Sequence, residues 1–161
     1  MKRLLRAALL LSFCGTIHGE VVRPAPNFGL DGVAGGGSLR SFRGHPVVLV
    51  IARSAREKDY RKEVYRLGAL YGQFSNEKVI FVAAIENGPA QVPSDIPFIT
   101  AANPQQVAAD YGVTGRFAIA VIGVDGNLDL ITTKVIPAAR VRDAIFNNFD
   151  SQQAARKQPS S

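Results

Sequence analysis

Residues 47–85, VVLVIARSAREKDYRKEVYRLGALYGQFSNEKVIFVAAI, carry the pattern on which the fold turns. Val47 to Ala52 is an unbroken apolar run rich in β-branched side chains, the composition of a strand covered on both faces. Ser54 and Glu57, three residues apart, match a capping box, in which each side chain satisfies a free backbone N–H at a helix start. A helix is therefore expected to begin at Ser54. Tyr60, Val64, Leu67, Tyr71 and Phe74 recur at steps of four and three and make one apolar stripe, with Arg61, Lys62, Arg66 and Gln73 lying off it. Gly68 and Gly72 weaken this helix while permitting close packing. Val79 to Ile85 is a second buried strand, and a crossover of this length between two such strands predicts parallel pairing.

Working outward, Asn87 to Pro97 is a loop rich in Pro and Gly. Asn103 and Pro104 have the chemistry of a helix cap and first turn, and Gly112 is placed to close that short helix. Ala118 to Val124 reads as a strand, Asp125-Gly126 as a hairpin turn, and Leu128 to Thr133 as the returning antiparallel strand. Pro137 starts a final helix whose apolar line is Val141, Ile145 and Phe149, with Ala138 and Ala144 at smaller size. From Val47 onward the order is strand, helix, strand, helix, strand, strand, helix. That order predicts an α/β architecture with a mixed central sheet and helices on both faces.

The two ends differ from this middle. Lys2, Arg3 and Arg6, the apolar run Ala7 to Cys14 and the polar exit Thr16 to Gly19 have the three-part layout of a secretory signal. Cleavage after Gly19 is one expectation; acylation of Cys14 is the other, disfavoured by the bulky Phe13 before it. No stable membrane anchor is expected, because the apolar run is too short to span a bilayer. The expected organisation is a signal over 1–19, one domain over 20–150 and a polar, disordered tail from Ser151 to Ser161. The chain is 161 residues with a formal charge of +6, and half of that excess lies in the signal. What remains is a mild excess, which is not a nucleic-acid signature. Tyr60, Tyr65, Tyr71 and Tyr111 are expected in the core or at its rim, so no exposed aromatic platform for single strands is implied. The placement is periplasmic or secreted, and without further cysteines no disulfide staples the mature domain.

Pro26-Asn27-Phe28 with Leu30, then Gly36-Gly37-Ser38-Leu39, Phe42, Gly44 and Val47 to Leu49, resemble the opening segment of the redoxin and thiol-peroxidase branch of the thioredoxin-like superfamily. Ile122 to Leu128, Ile-Gly-Val-Asp-Gly-Asn-Leu, is similar to a family of short exported thioredoxin-like domains of unknown function that lack the active cysteines. Together the two likenesses cover about Pro24 to Phe149 and imply a thioredoxin-like three-layer sandwich. They also imply a cysteine motif where Arg53-Ser54-Ala55-Arg56-Glu57-Lys58-Asp59 stands, and a cis-proline loop where Thr114-Gly115-Arg116-Phe117 stands. The sole cysteine, Cys14, is in the signal, and a hydroxyl cannot replace a thiolate in a reversible redox cycle.

Other chemistries fit the pattern poorly. Ser54 lacks a base, since His45, the one histidine outside the signal, lies at the other end of its strand, roughly 25–30 Å away at about 3.3 Å per residue. No cofactor is implied, and neither zinc, iron nor calcium ligand spacing is present. Gly35-Gly36-Gly37-Ser38 lacks the lysine and the following helix of a phosphate loop. What survives is Arg53, Ser54 and Arg56 at a helix start, with Arg116 on the facing loop: three guanidinium groups able to hold a carboxylate or phosphate of a protein or small anionic ligand. The competing reading is surface arginines answered by Glu57 and Asp59. Two functional classes follow: a non-catalytic binding module using the vacant active-site cleft, or a redoxin-class oxidoreductase working through an unrecognised residue or a partner thiol.

Overall fold

The structure is a computed structural model that describes residues 23–32, 37–87 and 94–146. The expected signal over 1–19 and tail over 151–161 lie outside the described residues, as do Gly35, Gly36 and Phe149. The Val47 run forms β3 (Val47–Ser54), the centre of a seven-stranded sheet. β3 pairs in parallel with β4 (Ile80–Asn87) and antiparallel with β6 (Phe117–Ile122), which turns back through a hairpin into β7 (Asn127–Thr132). Three short strands complete the edges: β1 (Arg23–Pro24) on β7, then β5 (Ile99–Ala101) on β4 and β2 (Leu30–Asp31) on β5. These three were not anticipated from the sequence, because two or three residues show no measurable alternation.

Alternation along the central strands divides the core into two layers. Val48, Val50 and Ala52 face one way with Phe81, Ile119 and Val121, and onto them pack α1 (Lys58–Ala69), α2 (Tyr71–Asn76) and a helix over 138–146, α4. Val47, Leu49 and Ile51 face the other way, with Ala120 and Ile122, and are covered by α3 (Pro104–Asp110) and the segment holding Phe28 and Leu39. Helices on both faces of a mixed sheet make three layers, as expected. At about 1.5–3 kcal/mol per large apolar side chain removed from water, β3 alone holds a large share of the folding energy.

Tyr111 ties the opening segment to α3. Its hydroxyl donates to the Pro26 carbonyl at 3.0 Å, and its ring meets Phe28 edge-on at 6.1 Å. Asn103 caps α3 through a bond from the Gln106 N–H, and Gly112, at φ +69°, closes it in the left-handed conformation that glycine takes without strain.

Two expectations are corrected. The helix does not begin at Ser54: the ladder to β4 runs on to Ser54 opposite Asn87, and the Arg53 N–H donates to the Arg116 carbonyl at 2.9 Å. Those bonds hold Ser54 extended, so its hydroxyl accepts from the Arg56 N–H in a tight turn and Glu57 becomes the N-cap without a side-chain bond. The stripe from Tyr60 to Phe74 is also not one helix. It breaks at Leu70 (φ −113°, ψ 7°), between Gly68 and Gly72, and α2 then carries Phe74 into the core against Phe81. Tyr65 is neither core nor rim, standing 82% exposed on α1.

Candidate functional site

The turn at 53–57 and the loop at 114–117 meet at one end of the sheet. β3 and β6 are in register there, Ala52 opposite Phe117, so the Arg53–Arg116 backbone bond is the last rung before the strands part. Arg53, Ser54, Arg56 and Arg116 are thereby gathered into one neighbourhood. Arg53, Arg56 and Arg116 are exposed and Ser54 is half-buried, its oxygen already accepting from the Arg56 N–H. The Arg116 guanidinium lies 4.0 Å from the Glu57 carboxylate, with side chains 74% and 21% exposed, which is a surface pair worth about 0–1 kcal/mol. Among the described residues Arg53 and Arg56 enter no ion pair, and Asp59 answers none of the three.

Just behind this turn α1 begins, and its first-turn N–H groups lack intrahelical acceptors as at any helix start. The combination is a cationic rim over a positive helix end. Three concavities of about 80, 480 and 300 Å³ open elsewhere, lined by other described residues. The residue before Phe117 is Arg116, and no cis peptide bond occurs among the described residues. No described cluster of three or more histidine, cysteine or carboxylate side chains is arranged to hold a metal, and no described helix is long and apolar enough to cross a membrane.

Further along α1 the structure shows a group that sequence reasoning missed. Glu63 is completely buried on α1, its Oε2 accepting from the Ile136 N–H at 3.0 Å while Oε1 has no partner among the described residues. Burial pushes its carboxyl up to about 7, against the lowering effects of the Ile136 N–H and of Arg66. One turn earlier the Tyr60 hydroxyl is likewise buried without a partner, and burial raises it to about 12. The signal was available: Glu63 stands three residues after Tyr60 and four before Leu67, in a slot of the apolar stripe.

No family model matches this sequence, and no curated protein matches it. Solved structures do. A protein assigned as the thiol:disulfide interchange protein DsbE from Chlorobium tepidum superposes with a TM-score of 0.61 at 22% identity, over 83% of this chain and 95% of that one. Plasmodium vivax 2-Cys peroxiredoxin gives 0.60 at 17% identity, over 84% and 98%. The exposed lipoprotein thioredoxin Etrx1 of Streptococcus pneumoniae gives 0.58 at 15%, over 76% and 99%. With these likenesses and the three-layer sheet, the chain has a thioredoxin-like fold.

Proposed function

We propose that this chain is an exported thioredoxin-fold protein that acts by binding and not by thiol exchange, with Arg53, Ser54, Arg56 and Arg116 as its contact surface. The observation that carries the reading is the meeting of the 53–57 turn with the 114–117 loop, where the fold's resemblance implies a cysteine motif and this chain has arginines instead. Exposed guanidinium groups favour a partner that brings its own anionic groups, such as an acidic segment of another protein. Export is supported by the charged, apolar and polar succession of residues 1–19.

The reading is tested on purified protein in two ways. Peroxide consumption and disulfide reduction should stay at the level of a boiled control; turnover above it would favour the oxidoreductase reading instead. A Glu/Asp-rich peptide should bind the wild type, with affinity falling at least about tenfold, one charge-assisted pair's worth, in the Arg53→Gln, Arg56→Gln, Arg116→Gln triple variant. Equal affinity in the two proteins removes this surface from consideration.

A further inference from the structure

At the opposite end of β3 a second basic group surrounds a small cavity. Three segments build it: residues 24–25 of the opening segment, residues 39–47, and the turn that joins β6 to β7. Backbone bonds clamp these together, from the Ala25 N–H to the Gly126 carbonyl at 3.0 Å, from the Gly44 N–H to the Val124 carbonyl at 2.9 Å, and from the Leu39 N–H to the Phe28 carbonyl at 3.0 Å. Asn27 adds a side-chain bond from the Arg40 N–H at 3.1 Å. The walls are therefore set by the fold and are not left to side-chain chance.

The lining combines apolar wall with basic side chains. Leu39, Val47 and Ile122, all buried, make apolar wall together with Ala25 and Phe42. Among the described residues the ionisable side chains in the lining are basic, Arg40, Arg43 and His45, while the carboxylates of Asp125 and Asp129 stand beside the lining residue Gly123. The Arg43 Nε lies only 3.6 Å from where a Cβ on Gly126 would stand, so this guanidinium crosses the hairpin turn, where Gly126 is at φ +82°. Asp125, an acid in that turn, is held within it, accepting from the Asn127 N–H at 3.0 Å and from the Asn127 side-chain amide at 2.6 Å. Among the described residues neither Arg40 nor Arg43 enters an ion pair.

We propose that this cavity binds a short aliphatic carboxylate, its alkyl group against Leu39, Val47 and Ile122 and its carboxylate on Arg40 and Arg43. The volume of about 80 Å³ limits the buried part to a short alkyl group, of which isopropyl is a branched representative. An arginine fork matches a carboxylate through two parallel N–H bonds at the solvent-facing rim, and the apolar walls take the alkyl group. A free branched-chain acid and the C-terminal valine of a peptide present the same chemistry. The site lies a full strand away from Arg53 and Arg116 and stands or falls independently of that surface.

The test titrates the protein with isovalerate, N-acetyl-L-valine and N-acetyl-L-valinamide, following the backbone amide resonances of residues 39–45 and 122–126. Saturable shifts confined to those residues are expected with the two carboxylates, together with at least about a hundredfold weaker binding of the amide. Tighter binding of N-acetyl-L-valine identifies a peptide C-terminus as the source, and tighter binding of isovalerate a free acid. The Arg40→Gln, Arg43→Gln double variant changes only exposed side chains and should lose most of the affinity; Ala25→Leu should fill the cavity with the same result. Arg53→Gln with Arg116→Gln should bind like wild type. The proposal is overturned if the amide binds as well as the acids, if no saturable shift occurs, or if the Arg40/Arg43 variant retains wild-type affinity.

Discussion

Replacing Glu63 by Gln should change how stability depends on pH, and the structure sets both sign and size. In the folded chain the buried carboxyl keeps its proton until about pH 7, whereas in the unfolded chain it loses it near the ordinary value of 4.5. Folding therefore binds a proton across that window. The stabilisation from this group is fully present below about pH 4.5, declines as pH rises, and is gone above about pH 7. At 1.36 kcal/mol per pH unit the loss amounts to about 3 kcal/mol. Gln keeps a carbonyl that can accept the Ile136 N–H bond and has nothing to ionise. Urea unfolding followed by far-UV circular dichroism, run in steps from about pH 4.5 to about pH 8, should give a Glu63→Gln minus wild-type difference that climbs by about 3 kcal/mol in favour of the variant. Taking the difference cancels the other carboxylates, whose environments the substitution leaves alone. Parallel curves across the window would refute the reasoning, because they would mean that Glu63 titrates alike in both states.

Three further outcomes follow from the same core. Tyr60→Phe removes a buried hydroxyl that has no partner among the described residues and keeps the ring, so it should add about 1 kcal/mol of stability, read as a higher urea midpoint with an unchanged slope. Leu49→Ala, at the fully buried centre of β3, should cost about 2–5 kcal/mol in the same assay, the range seen when a core leucine is truncated. Gly112→Ala places a side chain at φ +69°, where open space surrounds the Cβ, so the penalty is backbone strain alone; a loss of about 1–2 kcal/mol is expected by thermal unfolding.

Much of the candidate rim was legible because local signals agreed with the global fold. The Val47 run, the strand read at Ala118 to Val124 and the Asp125-Gly126 turn mark the strands whose pairing brings residue 53 beside residue 116. Helix boundaries were less legible. Ser54-Ala55-Arg56-Glu57 satisfies a capping pattern, yet β4 and the Arg116 carbonyl compete for the same backbone and win, because ladder bonds to two neighbours outweigh one side-chain bond at a helix end. Leu70 shows the same override: the stripe is continuous in sequence, but its two glycines let the chain break and re-aim Phe74.

By itself, then, the order of residues determined that buried strands alternate with amphipathic helices, and that the place of the expected cysteine motif is occupied by Arg53 to Asp59. Periodicity and residue type are local properties, read without knowing any partner. Only the tertiary structure decided that Glu63 is sealed against Ile136, 73 positions away, and that Arg40, Arg43 and His45 close around a cavity with a hairpin some 80 residues downstream. Burial and charge complementarity are properties of pairs that the chain must fold to create, and no pattern along the sequence can state them.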